Sequence, residues 1–533
     1  MEEKGRAGAE GLTMPRAAFP IAAFLVTAFV YLPSVRYGLV PYDDHLYVTQ
    51  NDHVRRGLTA DGVRWAFCSA GYASNWHPLT WISLMADSSL ADGRRMEDAE
   101  WRQSSNGVVA LMHGHNVVLH AANAALLFLL LGLLCRNGID PRWLLALTLL
   151  WSLHPLRTEA VCWVSERKEV LCVLFMLLSA IAYVGERVWL SLTCAVLALL
   201  AKPVAVTLPV LLLAYDLVFV RRLRLGRLAP FFVASLVAGL MTLSAQTEAL
   251  DCGSGFGLGV RLNAIVGSPA VYAWQTVWPA NLSAAYRPCG RLDVCAVGGG
   301  VVLLALMAAA MFRWLAQRRL QDGRRSLTLA DVSVFAVAWV YVGLVPMLGI
   351  VKVGWQEHSD RYTYWIGCGA CAAVALALAV RGHQWWESFA RWIETVDQKP
   401  FDRAKARRAC LVALFLLTAA LSAASLRRMS AWQTPVAFMR DTIPKCWNVD
   451  FVDAAVRSVP LYGAEFACEV EQWARQCAAE NRSDDANLVL ARFLVQKGVS
   501  GEALAILGDL RRKKHRPDEV QELVDRLMAR RDR

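Results

Sequence analysis

The chain has 533 residues, 56% hydrophobic and 19% charged, with 20 Trp and a mean hydropathy of +0.35. Soluble domains carry about 25% charged residues, so an ordinary soluble fold is excluded; a closed barrel would need many alternating segments, and the sequence has none. The formal net charge of +11 sits in Arg clusters between apolar runs, which reads as a membrane-topology signal rather than a nucleic-acid surface.

The first apolar run, Ala17 to Pro33, is long for a signal peptide and has no small-x-small cleavage site at its end, so it reads as a retained helix. Two adjacent acids, Asp43 and Asp44, follow in Val40-Pro41-Tyr42-Asp43-Asp44-His45. Charges beside lipid are costly and mark function by default; the bland alternative is that they cap the next helix. Apolar runs near bilayer-crossing length predict eleven spans: 16–34, 111–134, 142–154, 168–185, 188–201, 203–220, 228–247, 294–312, 329–350, 361–380 and 409–426.

Arg221, Arg222, Arg224 and Arg227 fill one short loop; Arg313, Arg318, Arg319, Arg324 and Arg325 fill another, opposed only by Asp322. Both are expected in the cytoplasm, so an even number of crossings separates them. The runs 228–247 and 294–312 supply two. The weaker run 260–278, with Arg261, Asn263, Ser268, Pro269 and Gln275, is expected as an amphipathic helix in the outer interface. Parity then places the N-terminal tail 1–15 and the charged loop 381–408 inside. The loop 35–110, the segments 154–167 and 248–293, the Lys202-Pro203 turn, the loop 351–361 and the tail beyond 427 fall on one outer face.

In that tail, Ala486 to Gly498 and Gly501 to Leu507 read as two short helices about a Gly turn, resembling one divergent tetratricopeptide repeat. A lone repeat cannot bury its own face, so helices near 465–480 and 517–530 are expected beside it. Cys446, Cys468 and Cys477 share this region and could pair in an oxidising compartment. Cys368 and Cys371 form the one C-x-x-C spacing, inside an apolar run, where buried thiols are favoured over zinc.

The polar motifs run in order: Tyr42-Asp43-Asp44, Gly62-Val63-Arg64-Trp65-Ala66-Phe67, Asn75-Trp76-His77-Pro78, His120-Ala121-Ala122-Asn123, His154-Pro155-Leu156-Arg157-Thr158-Glu159, Ser165-Glu166-Arg167-Lys168-Glu169, Ala201-Lys202-Pro203 and Asp360-Arg361-Tyr362-Thr363-Tyr364. Across about 40–430 this order resembles the membrane proteins that join a GT-C glycosyltransferase domain to tetratricopeptide repeats, whose eukaryotic relatives are O-mannosyltransferases of the secretory pathway. That family usually carries a long repeat array; here at most one or two repeats are visible, and Gly93 to Val109 looks like an inserted or diverged loop.

The resemblance implies an all-α polytopic membrane protein of about 11 transmembrane helices with GT-C architecture over 16–426, and an external helical domain over 427–533. It implies transfer of a mannose-like monosaccharide from a polyprenyl-phosphate donor to a hydroxyl of a protein or glycan acceptor. The chemistry would lie on the periplasmic or lumenal face, in a bacterial-type member on the inner membrane. Asp43 or Asp44 is then the base that takes the nucleophile's proton, with Asp43 favoured and Asp44 holding the acceptor or shaping the loop. A single displacement inverts the anomeric carbon.

Fixed cations should meet the departing lipid phosphate. The candidates are Lys202, Arg361, Arg167 and Lys168, each of which also fits snorkelling or contact with anionic lipid. Substrate contacts are expected from Trp76, His77, His154, Glu159, Asp360 and Tyr362. His77 suits a structural role in a Trp-rich interfacial helix equally well. The spacing of His154 and Glu159 is not that of helix-face metal ligands, so a divalent metal is a possibility that the spacing does not support, and no other cofactor is indicated. His113, His115 and His120 do not share one clean face and read as separate packing or polar residues. Two rivals remain: a lipid-linked sugar transporter or flippase, which would place charges at mid-span in pseudo-symmetric halves, and a non-catalytic scaffold working through a protein partner on the helical tail.

Overall fold

The computed structural model describes residues 16–69, 71–91, 107–245, 257–287, 291–319, 326–348, 358–397 and 401–531. The tail 1–15, most of the expected insertion Gly93 to Val109, Asp322 with Arg324 and Arg325, and most of the loop 351–361 lie outside the described residues.

Among the described residues the chain is helical, with no strand. Eight helices are long and apolar enough to cross a membrane: Ala18–Arg36, Gly107–Leu134, Pro203–Val220, Leu225–Ala245, Val294–Gln317, Leu329–Met347, Asp360–Val396 and Arg403–Trp432. Each coincides with one of the eleven predicted runs. The other three runs are also helices, Pro141–Ser152, Arg167–Val184 and Val188–Ala201, of 12, 18 and 14 residues. At 1.5 Å per residue the first and third are about 18 and 21 Å long, less than the ~30 Å hydrocarbon layer. The second opens on Arg167, Lys168 and Glu169.

Two of the eight carry the membrane argument furthest. In Val294–Gln317 and Arg403–Trp432 only 6% of the most apolar stretch is buried within the protein, and Phe312 and Phe415 stand more than 70% exposed. Apolar faces this bare are stable in lipid, not in water. The chain is therefore a multi-pass membrane protein, helical throughout its described elements.

The helix Gly107–Leu134 is the central post. It packs against Ala18–Tyr31, Pro141–Ser152, Arg167–Val184 and Thr363–Asp397. Its buried face carries His113, Asn116, His120 and Asn123, spaced three and four apart so that they form one stripe. The stripe bonds the neighbours: His120 Nδ1 lies 2.6 Å from Tyr364 Oη and its Nε2 2.9 Å from the Ser152 carbonyl, while Asn123 donates to the Val170 carbonyl at 2.9 Å. His115 projects elsewhere, onto Asp87 at 2.5 Å. Close helix approach needs small residues at one crossing: a Cβ on Gly369 would lie 2.5 Å from the Trp339 ring.

One expectation about connections is corrected. The loop expected at 381–408 is largely helix, because Thr363–Asp397 runs on unbroken for 35 residues and the next helix starts at Arg403. No Pro interrupts it, and Trp385, Phe389 and Trp392 recur at helical spacing among the charges. Arg224, read as a topology signal, also has a structural partner: its guanidinium forks onto the buried Asp216 at 2.6 and 3.0 Å, and Tyr183 Oη donates to the same carboxylate at 2.9 Å. The weak run 260–278 forms Leu258–Leu262, a π-helical turn Asn263–Gly267 and Ser268–Val277, laid against Val294–Arg319.

The tail folds as Pro435–Cys446, Val449–Asn481, Asp484–Lys497, Ser500–Arg512 and Pro517–Arg531. The two expected helices are present, turning at Gly498 with φ +83°, a left-handed cap that glycine adopts freely. Their neighbours supply the missing burial, with Leu494, Leu507, Leu510 and Leu527 in the shared core. Cys446, Cys468 and Cys477 are free thiols, the first and third buried and the second exposed, so the pairing considered for them is not formed.

Candidate active site

The segment 154–169 decides the site. It breaks into short turns, Pro155–Arg157, Thr158–Cys162 and Val164–Glu166, before Arg167–Val184 begins. Every residue of it is buried, Glu159, Glu166, Arg167, Lys168 and Glu169 included. Charged side chains are almost never fully buried unless paired, and these are paired with one another and with three distant segments.

Glu166 is the hub. Its Oε1 lies 3.3 Å from Lys168 Nζ and 3.4 Å from Arg361 Nε, and its Oε2 lies 3.1 Å from Lys202 Nζ. Burial pushes its carboxyl up, but Lys168, Lys202 and Arg361 together outweigh burial and hold it down to about 2. Lys202 also contacts Glu169 Oε2 at 2.6 Å, and the Arg361 Nη1 contacts Glu159 Oε1 at 2.5 Å. The Arg361 backbone N–H donates to Glu159 Oε2 at 2.9 Å, which fixes the guanidinium at the start of its helix. Lys168 and Arg361 flank one indole, lying 5.4 and 5.5 Å from the Trp163 ring centre.

The acid pair divides its work. Asp44 is 1% exposed. Its Oδ2 accepts from the Val40 N–H at 2.9 Å, and its Oδ1 accepts from the Ser165 N–H at 3.0 Å and the Ser165 hydroxyl at 2.5 Å. Burial pushes its carboxyl up to about 6, with the Ser165 and Val40 donors opposing the rise. Asp44 thus pins the first loop to the turn that carries Glu166. Asp43 keeps 36% of its side chain exposed and lies 3.7 Å from Lys168 Nζ. Beneath it, Tyr42 stacks on Trp163 with centroids 4.4 Å apart and meets Phe451 edge-on at 5.1 Å. Aromatic contact of this kind adds about 0.5–1.5 kcal/mol per pair beyond burial, and here it locks the loop against the membrane part and the tail.

The structure therefore brings Asp43, Lys168, Lys202, Arg361 and Glu159 together around Glu166. Tyr362 lies beside them, its ring 5.1 Å from the Arg361 guanidinium. His77 stacks on Tyr47 and Trp81, at 5.4 and 4.7 Å. Burial, reinforced by Lys168 and Lys202, holds its imidazole well below the usual value. Lys168 Nζ in turn contacts Tyr47 Oη at 3.1 Å.

Other candidates lie apart. Arg167 points away from the hub: its guanidinium bonds Asp87 at 2.8 Å, Asn116 at 2.5 Å, Ser83 at 2.8 Å and the Met112 carbonyl at 2.7 Å. One residue along a helix turns a side chain by about 100°, which separates Arg167 from Glu166 and Lys168. His154 accepts from the Leu156 N–H at 3.2 Å through Nδ1 and meets the Thr276 carbonyl at 3.0 Å through Nε2; it clamps a turn to Ser268–Val277. Asp360 is buried and accepts from Tyr286 Oη at 2.5 Å. Trp76 donates to the Phe67 carbonyl at 3.1 Å within the first loop.

Glu166, Glu169 and Ser165 were visible only as parts of a motif. The signal that would have singled them out is the three-residue spacing of Glu166 and Glu169, which puts both on one side with Lys168 adjacent. No group of three or more His, Cys, Asp or Glu among the described residues has the geometry to hold a metal ion. Comparison with protein-family models, with curated proteins and with solved structures finds no match.

Proposed function

We propose that the chain is a GT-C-type membrane glycosyltransferase, moving a mannose-like sugar from a polyprenyl phosphate to a hydroxyl of a protein or glycan. The observation that carries this reading is the contrast within the acid pair: Asp44 is spent on three hydrogen bonds, while Asp43 stays partly exposed beside Lys168, one of three cations gathered at Glu166. In the reaction, the acceptor oxygen bonds to the anomeric carbon as the bond from that carbon to the phosphate oxygen breaks. The acceptor's proton passes to the Asp43 carboxylate, and the lipid phosphate leaves toward Lys168, Lys202 and Arg361. Glu159, Glu166 and Glu169 hold those cations in place and apart before the phosphate arrives.

The reading uses all eleven runs as crossings, the three short ones tilted or sheltered by protein, with Ser268–Val277 in the outer interface. The acid pair and the hub then face the periplasm or lumen, and the helical tail beside them receives the acceptor or a partner. A flippase is less favoured, because the charges gather at helix ends around one hub rather than along a path at mid-span.

The test is sugar transfer by the purified full chain against a panel of lipid-phosphate sugars. Wild type should transfer one of them, and Asp43→Asn should lower the rate by about 10²–10⁴-fold. Full transfer by Asp43→Asn in a folded protein overturns the assignment.

A further inference from the structure

A second polar site lies where the last membrane helix meets the tail. A cleft of about 880 Å³ is bounded by the end of Arg403–Met429, by Pro435–Cys446 and by the strand of chain 278–282. Four cations line it, Arg427, Arg428, Arg440 and Lys445, against one carboxylate, Asp441. Asp441 is shared: Arg428 Nη1 lies 2.5 Å from its Oδ2 and Lys445 Nζ 2.6 Å from its Oδ1. Among the lining groups one carboxylate between two cations leaves a unit of positive charge, offset in part by the buried Asp360 that also acts on Arg428, and the exposed Arg427 adds another. Arg440 is matched separately by Glu469 at 2.6 and 2.9 Å.

Arg428 and Lys445 both sit in the last turn of a helix, where any cation is favoured by the dipole. That accounts for a cation at each helix end. It does not account for cations from two helices converging on one cleft, nor for Arg428 keeping only 9% of its side chain exposed with its buried Nε unbonded. A planar guanidinium with a donor left over matches phosphate oxygens.

The depth of the cleft identifies what carries the phosphate. Trp278 forms part of its wall and is 62% exposed, as are its neighbours Trp274 and Val277 to a similar degree. Exposed Trp at the end of apolar helices marks the headgroup layer. Arg427 and Arg428 close a candidate span whose apolar stretch is bare to lipid.

We propose that this cleft binds the phosphate of a membrane lipid, gripped by Arg427, Arg428 and Lys445, at a site separate from the Glu166 hub. The proposal stands apart from the transfer reading, because it is tested by binding and not by turnover.

The experiment extracts the full chain into a phosphate-free glycoside detergent and titrates three probes, followed by native mass spectrometry: phosphatidylglycerol, a polyprenyl monophosphate and inorganic phosphate. Wild type should retain one molecule of a phosphate-bearing lipid, and whichever lipid binds more tightly names the source. The double variant Arg427→Gln, Lys445→Gln should weaken retention at least ten-fold. Asp441→Asn, which removes the competing carboxylate, should strengthen it, a gain that misfolding cannot produce. Undiminished retention by the double variant, no gain in Asp441→Asn, or inorganic phosphate binding as tightly as either lipid overturns the proposal.

Discussion

Replacing Glu166 by Gln tests the hub directly. The substitution keeps the shape of the side chain and removes the one charge that touches Lys168, Lys202 and Arg361. A carboxyl held at about 2 in the folded chain and near its ordinary value of about 4.3 when unfolded stabilises the fold by about 3 kcal/mol at neutral pH, at 1.36 kcal/mol per pH unit. This agrees with the ~3–5 kcal/mol lost when one partner is taken from a buried ion pair. The sign follows from proton uptake. Because the folded value is depressed, the contribution is fully present above the unfolded value and is lost as pH falls toward 2. Wild type and Glu166→Gln should therefore differ by about 3 kcal/mol at pH 7 and by less than half of that near pH 3. The assay is unfolding in mixed micelles followed by Trp fluorescence, compared at the two pH values. A deficit below about 1 kcal/mol at pH 7, or one that does not shrink at pH 3, would refute the claim that Glu166 holds the cations.

Three further outcomes follow from the same geometry. Asp44→Asn turns an amide NH₂ toward the Val40 or Ser165 donors and should cost about 1–3 kcal/mol, while the half-exposed Asp43→Asn should change stability by less than about 1 kcal/mol; the same unfolding assay reads both. Arg167→Gln leaves the buried Asp87 with His115 as its remaining partner and should cost about 3 kcal/mol, yet leave the KM for a lipid-phosphate sugar unchanged in the protein that remains folded; a raised KM would place Arg167 in the donor site. Gly369→Ala drives a methyl to within 2.5 Å of Trp339, so it should lower thermal stability by about 1–3 kcal/mol, read as a lower melting midpoint in detergent.

The helices were legible because length and hydropathy suffice to find an apolar run, and all eight candidate spans fall on predicted ones. Their ends were less legible. The charges from Arg381 to Glu394 look like a loop in a linear reading, yet Trp385, Phe389 and Trp392 keep the turn going to Asp397. In the site, the ordered motifs pointed to Asp43, Lys168, Lys202, Arg361 and Glu159, which do meet. Side-chain direction was the missing variable. Arg167 stands between Glu166 and Lys168 in sequence and faces Asp87 in space. His154 looked available for substrate because a sequence does not show that a carbonyl 122 positions away, at Thr276, occupies its second nitrogen. Glu166 was passed over because an acid among cations reads as ordinary surface until its burial is known.

The bond between Glu159 and Arg361 joins residues 202 positions apart, whereas Lys202 lies only 33 positions from Glu169. A ribosome adding about 5–20 residues per second delivers Lys202 within seconds and Arg361 some 10–40 s after Glu159. For that interval Glu159 has neither its guanidinium nor its backbone partner, and a carboxylate without partners does not settle into a dry interior. The early helices must wait with that turn still wet. Completion of the hub therefore waits on residue 361, and a protein truncated before that point carries Glu159 without its Arg361 partner.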